Sequence, residues 1–143
     1  MAAVPLHYVD LRTFCYATED DRRVEAALRT LLPEDAEIER MESTGHHGDR
    51  ILVLSARVER ADEMRHVLDR LTELDDLDGV VDELDERVDE NCAFYLTLDK
   101  QAAYRGEVRR GDGITFRSKV EAYPAKKEKA VSNARDLFES LAD

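Results

Sequence analysis

Val4-Pro5-Leu6-His7-Tyr8-Val9-Asp10-Leu11-Arg12-Thr13-Phe14-Cys15-Tyr16 is the stretch that decides the fold. Side chains alternate along it. Val9, Leu11, Thr13 and Cys15 point one way and Tyr8, Asp10, Arg12, Phe14 and Tyr16 the other, which is the period of two that a strand imposes. Thr18 and Asp21 then make a start like a capping box, and Val24, Ala27, Leu28 and Leu31 recur at helical spacing. Pro33 follows where it cannot extend that helix.

Outward from this strand–helix unit the same two periods continue. Residues 36–43 form a weak edge strand carrying Ile38, Gly45-His46-His47-Gly48-Asp49 is a hairpin connection, and Ile51 to Val58 is a buried strand. Ala61, Met64, Val67, Leu68, Leu71 and Leu74 mark a second helix, and Leu77, Val80, Val81, Leu84 and Val88 a short third one. Cys92 to Leu98 is a further strand. After a turn at Lys100 to Arg105, residues 106–110 and 114–123 are expected to pair as a hairpin closed by Gly111-Asp112-Gly113. Pro124 ends the strand, and Ala130, Val131, Ala134, Leu137, Phe138 and Leu141 line a final helix. The expected order is β-α-β-β-α-α-β-β-β-α. Hairpin-linked strands without a regular βαβ alternation predict an α+β two-layer sandwich, a mostly antiparallel sheet with helices packed on one face.

The 143 residues suit one domain spanning 1–143, with no internal repeat and no Pro/Gly/Ser linker. No apolar run approaches the ~20 residues that a membrane-spanning helix needs, and the first residues lack the pattern of a signal peptide. Two cysteines make no disulfide framework, so Cys15 and Cys92 are expected to be reduced, buried and cytoplasmic. Thirty-three acids oppose twenty-one bases, sixteen of them Arg and five Lys, for a net charge of −12. Abundant carboxylates with few lysines keep a protein soluble in concentrated salt, so a salt-adapted source is expected.

Catalytic signatures are lacking. His46, His47 and Asp49 provide no third ligand spaced to close a tetrahedron, and a polar hairpin tip is the simpler reading. Neither cysteine has a His partner or an electropositive setting that can be read from the sequence. There is no phosphate-cradling glycine loop, no G-x-S-x-G and no H-E-x-x-H. A non-enzyme with no cofactor and no metal is the expectation.

Charge is distributed unevenly. Residues 1–99 hold eleven bases and twenty-six acids, whereas residues 100–143 hold ten bases and seven acids. Four of the five lysines fall between residues 119 and 129. Lys126, Lys127 and Lys129 occupy the start of the final helix, where its dipole makes a cation cost a few tenths of a kcal/mol each. An anion bound there, on free N–H groups and lysines, explains the placement. The competing reading is a solvated face neutralised by acids from other elements. On the strand 114–123, Ile114, Phe116, Val120 and Ala122 face the core and leave Thr115, Arg117, Lys119, Glu121 and Tyr123 outside. Tyr104 and Tyr123 flank the basic segment, and Tyr8, Phe14 and Tyr16 share a strand face with Arg12. That first-strand set divides between base stacking and packing under the helices. Packing is favoured, because one sheet face must meet the helix layer.

The runs His7-Tyr8-Val9-Asp10-Leu11-Arg12-Thr13-Phe14-Cys15-Tyr16-Ala17-Thr18-Glu19, Leu31-Leu32-Pro33-Glu34, Asp99-Lys100-Gln101-Ala102-Ala103-Tyr104 and Ala122-Tyr123-Pro124-Ala125-Lys126 occur in that order over nearly the whole chain. Together they resemble the archaeal family of predicted exosome-subunit or RNA-binding proteins. The resemblance implies an α+β fold similar to that of the ribosomal protein that binds 5S rRNA, and a part in RNA processing or degradation. It brings no catalytic residues. It draws attention to Lys100 and Gln101 and to Tyr123, Lys126 and Lys127, and it departs from the family pattern at Thr97, where an arginine often stands.

The expected function is therefore non-catalytic RNA binding, as an accessory to RNA processing or degradation. Arg117, Lys119, Lys126 and Lys127 hold phosphates, Lys100, Arg105, Arg109 and Arg110 extend the groove, and Tyr104 or Tyr123 stacks a base. Structured RNA would be recognised by shape and by unpaired bases, with RNA-processing proteins as further partners and no membrane. The alternative is a protein–protein or homodimerisation module in which the basic segment meets an acidic partner, or the edge strand near Ile38 pairs with a second copy.

Overall fold

The alternation of the first strand carries into a computed structural model that describes residues 4–45 and 48–142. The elements are β1 (Leu6–Tyr16), α1 (Asp21–Arg29), β2 (Glu39–Thr44), β3 (Arg50–Val58), α2 (Ala61–Leu71), α3 (Leu77–Asp82), α4 (Leu84–Arg87), β4 (Ala93–Asp99), α5 (Lys100–Tyr104), β5 (Gly113–Val120) and α6 (Lys127–Ala142). The five strands lie in the order β2-β3-β1-β5-β4, and every neighbouring pair is antiparallel. The helices cover one face, so the expected α+β architecture stands.

Val9, Leu11, Thr13 and Cys15 of β1 are buried under the helices with Leu52, Leu54 and Ala56 of β3, Phe94, Leu96 and Leu98 of β4, and Ile114 and Phe116 of β5. From the other side come Val24, Ala27 and Leu28 of α1, Val67, Leu68 and Leu71 of α2, and Ala130, Ala134 and Phe138 of α6. The Phe94 ring meets Phe116 edge-on at 5.8 Å and Phe138 at 5.2 Å. Aromatic pairs in such tilted arrangements add to area burial.

This packing corrects the expectation for the first-strand aromatics. Tyr8, Phe14 and Tyr16 lie on the face that no helix covers, with Phe14 and Tyr16 exposed. The sheet has a single covered face, and the aliphatic set of β1 occupies it. A bulge between Leu6 and Tyr8, where two steps along β1 match one from Val120 to Lys119 on β5, buries Leu6 while keeping Tyr8 outward.

Local expectations change in four places. Asp20 caps α1, its carboxylate accepting from the Arg22 N–H at 2.9 Å, in the place given to Thr18. The third helix divides at Glu83 into α3 and α4. The turn at 100–105 is a helical turn, α5, capped by Asp99, whose side chain accepts from Ala102 N–H at 2.9 Å. Residues 106–110 are not a strand paired with β5, because β1 and β4 already occupy both edges of β5. Instead the Asp99 N–H donates to the Arg109 carbonyl at 2.8 Å and Arg110 makes a lone bridge with Leu98. This segment runs along the outer edge of β4. Gly113 lets the chain return: at φ +117°, a side chain there would drive its Cβ to 2.5 Å from that of Lys100.

The β2–β3 connection is closed by the Gly45 N–H donating to the Asp49 carbonyl at 2.6 Å. His46 and His47, read as its polar tip, lie outside the described residues. β2 is the uncovered edge expected of it, all six of its residues exposed. No helix among the described residues is long and apolar enough to cross a membrane.

Candidate functional site

With helices on one side only, the period of two delivers every second residue of β1, β3, β4 and β5 to an open face. Register then aligns them. Asp10 stands opposite Arg57 on one side and Arg117 on the other, and Arg117 stands opposite Tyr95, so one row crosses four strands as Arg57, Asp10, Arg117, Tyr95.

The side chains in this row interlock. Arg57 grips Asp10 with two hydrogen bonds, Nε to Oδ1 at 2.7 Å and Nη2 to Oδ2 at 2.8 Å. Arg117 approaches the same carboxylate at 3.8 Å and donates from Nε to the Tyr95 hydroxyl at 3.1 Å. Tyr8, one outward position along β1, takes the Arg57 guanidinium at 3.9 Å from its ring centre and that of Arg117 at 5.7 Å. Arg117 is also 5.7 Å from the centre of the Tyr95 ring. Cations and rings thus alternate as Arg57, Tyr8, Arg117, Tyr95, each cation within range of a ring quadrupole. The hydrogen bond to Asp10 outweighs desolvation and holds the Arg57 guanidinium pKa above its ordinary value, and the Tyr95 hydroxyl does the same for Arg117.

A second aromatic cluster lies at the far end of β1. Arg12 sits 5.4 Å from the Phe14 ring centre, and Phe14 and Tyr16 lie 6.5 Å apart at 28°. Lys100 reaches this end from α5. Its ammonium bonds Glu19 at 2.8 Å and the Phe14 carbonyl at 2.9 Å, and its side chain is only 12% exposed. Burial pushes the Glu19 carboxyl up, but the Lys100 hydrogen bond and the Tyr16 N–H outweigh it and leave Glu19 below the ordinary carboxylate range.

Of the nine basic and aromatic positions expected to form one groove, Arg117 stands in the row with Asp10 and Tyr95, and the other eight divide into two groups. Lys100, Arg105, Arg109 and Arg110 lie at the Gly113 end of β5 and along β4, while Lys119, Tyr123, Lys126 and Lys127 belong to its Val120 end. β5 separates them by roughly 24 Å at 3.4 Å per residue. The first group is occupied with acids: Arg110 with Asp76 at 2.7 Å and Glu83 at 2.9 Å, Arg109 and Arg105 with Glu107 at 3.1 and 3.8 Å, and Lys100 with Glu19.

The second group is different. Among the described residues, Lys119, Lys126, Lys127 and Lys129 enter no ion pair, although the chain carries thirty-three carboxylates. Lys119 faces outward beside Tyr8, and Tyr123 is 95% exposed. The first hydrogen bond of α6 runs from the Ala130 N–H to the Lys126 carbonyl at 3.0 Å, which leaves the N–H groups before it to be met from outside the helix. Neutralisation by neighbouring acids is therefore not how these lysines are held.

Sequence reading did not single out Arg57 or Tyr95. Their outward parity was legible beside Leu54, Ala56 and Val58 and beside Phe94 and Leu96, but nothing local joins strands β3 and β4 to one row.

Two of the comparisons with known proteins carry an RNA-binding description, and two solved structures share the fold. A family model described as RNA binding matches residues 8–120. A protein of Pyrococcus abyssi (strain GE5 / Orsay) named RNA-binding protein PAB1135 is 40% identical over 144 residues, 93% of this chain and 94% of its own. The crystal structure of protein AF2318 from Archaeglobus fulgidus superposes with a TM-score of 0.84 at 30% identity, over 92% of this chain and 99% of that one. Mth689, a DUF54 protein from Methanothermobacter thermautotrophicus, has a TM-score of 0.78 at 42% identity, covering 93% and 98%.

Proposed function

This chain belongs to the RNA-binding family, and from that membership we propose that it is a non-catalytic, cytoplasmic RNA-binding protein that serves as an accessory in RNA processing or degradation. The observation that carries the reading is the set of unpaired lysines. Among the described residues Lys119, Lys126 and Lys127 hold cations without counter-charge, Lys119 two positions from Arg117 on β5 and Lys126 and Lys127 at the start of a sixteen-residue helix. Phosphate is the ligand that suits both parts, since the ammonium groups supply charge and the helix N-terminus supplies N–H donors. Contacts of this kind position an RNA without reading its sequence. Lys100 and Arg110 have their charge engaged inside the fold and act here as scaffold, so the phosphate path follows the Val120 end of β5. The proposed salt-adapted source, argued from many carboxylates and few lysines, would require binding that persists when long-range electrostatics are screened.

The test is retention of total cellular RNA at about 2 M potassium chloride, where charges are screened beyond about 2 Å. Wild type is compared with an Arg117→Ala/Lys119→Ala/Lys126→Ala/Lys127→Ala variant. Retention by wild type and loss in the variant is the expected result. In a titration at lower salt, losing the three lysine contacts to phosphate lowers the slope of log affinity against log salt by about 2. If neither protein binds RNA at any salt, the reading falls, and an acidic protein partner takes its place.

A further inference from the structure

The open face of the sheet carries a feature that phosphate binding does not use. Aromatic side chains in this protein are divided by environment: Phe94, Phe116 and Phe138 fill the core, while Phe14, Tyr16 and Tyr95 stand 37%, 51% and 38% exposed on the helix-free face. Rings left in water on a sheet, each beside a cation, want a planar partner.

We propose that this face is a stacking platform for the unpaired bases of single-stranded RNA, with bases laid against the Arg57–Tyr8–Arg117–Tyr95 ladder and phosphates turned outward toward Lys119. The proposal rests on the RNA-binding reading and specifies the class of RNA and its orientation. Three observations support it. First, the ladder is preorganised, because Asp10 holds Arg57 through two hydrogen bonds and the Tyr95 hydroxyl holds Arg117. Binding loses little rotamer freedom when the receiving planes are already set. Second, guanidinium planes and tyrosine rings are the groups on which any base can stack.

Third, charge selects the orientation. Asp10 sits in the middle of the row, where a phosphate would be repelled, whereas Lys119 lies in the neighbouring row opposite Tyr8 and has no carboxylate partner among the described residues. A strand that turns its bases to the sheet and its backbone to Lys119 satisfies both. A duplex cannot do this, since its bases are stacked inside and only phosphates and groove edges reach a flat surface. From Tyr8 to Phe14 the face runs roughly 20 Å along β1 at 3.4 Å per residue, which is long enough to carry several nucleotides from the ladder to the Phe14–Tyr16 cluster.

The test uses the full chain with a twelve-nucleotide uridine oligomer and a duplex RNA of equal length. Fluorescence anisotropy of the labelled RNA reports affinity, and quenching of intrinsic tyrosine emission reports stacking in a chain without tryptophan. Wild type is expected to prefer the single strand and to lose emission on binding. Tyr95→Ala should weaken single-strand binding about 5- to 150-fold, the equivalent of about 1–3 kcal/mol for one stacked base. Its duplex binding should be unchanged. Tyr95→Phe, which keeps the ring and loses the bond to Arg117, should restore most of the affinity. Tyr95 is exposed, so both variants are expected to fold, and coincident thermal melts verify it.

Equal affinity for duplex and single strand, or a Tyr95→Ala variant that binds the oligomer like wild type, overturns the platform. If at the same time a Lys119→Ala/Lys126→Ala/Lys127→Ala variant, which leaves the ladder intact, still loses RNA, the RNA-binding reading survives and only the stacking face is lost. Failure of wild type to bind any RNA removes both.

Discussion

Lys100 separates a structural cation from a ligand-binding one, and replacing it by methionine measures which it is. The ammonium bonds Glu19 at 2.8 Å and the Phe14 carbonyl at 2.9 Å, with 12% of the Lys100 and 23% of the Glu19 side chain exposed. Breaking a fully buried pair costs about 3–5 kcal/mol and an exposed one about 0.2–1. A pair this sheltered, at a site where Glu19 can still rehydrate, falls between, at about 2 kcal/mol. In a domain of this size that lowers the melting temperature by roughly 6 °C. Urea unfolding of wild type, Lys100→Met, Glu19→Gln and the double variant gives the coupling directly.

The pH dependence has a definite sign. The Glu19 pKa is lowered in the folded protein, so its contribution is complete above the unfolded carboxylate value near 4.3 and is lost as pH falls through the lower folded value. The gap between wild type and Lys100→Met should be full at pH 7 and close at acid pH. RNA affinity of Lys100→Met, measured below its melting transition, should match wild type. A variant that loses less than about 0.5 kcal/mol, the range of ordinary surface changes, and binds RNA more weakly would refute the reasoning and return Lys100 to the phosphate path.

Two further outcomes test local features. Asp20→Ala should cost about 0.5–2 kcal/mol through loss of the α1 cap, while Thr18→Ala should stay within about 0.5 kcal/mol; denaturant midpoints distinguish them. Burial, then Glu19 and Asp21, push the Cys15 thiol up, so thiolate is scarce near neutrality and increases as pH rises. In a Cys92→Ser background, native labelling at pH 8 should be slower than in urea by on the order of tenfold or more, and equal rates would show an accessible thiol.

Much of the fold was legible because it depends on local periods. The alternation in β1, the helical spacing from Val24 to Leu31 and the apolar face from Ala130 to Leu141 each reflect chain geometry alone, and the structure keeps all three. The lysine cluster was legible for a similar reason, since five lysines in a chain of arginines are visible without neighbours. The segment 106–110 was misread because its pairing depended on which strands already flanked β5. The side of β1 that would meet the helices was equally ambiguous locally. Val9, Leu11 and Cys15 on one face and Tyr8, Phe14 and Tyr16 on the other are both apolar enough to be buried.

The sequence by itself determined the element types, the α+β class, the absence of recognisable catalytic motifs and the basic last third of the chain, because these follow from composition and from periods of two and 3.6. Only the tertiary structure decided which cations are free. Lys100 meets Glu19 across eighty-one positions and Arg110 meets Glu83 across twenty-seven, while Lys119 meets no acid among the described residues. It also decided that Arg57, Tyr8, Arg117 and Tyr95 form one ladder, since they come from four strands whose order no local pattern encodes. The physical reason is common to both. A residue's type and parity are properties of its own segment, whereas its partner is set by register between segments distant in the chain.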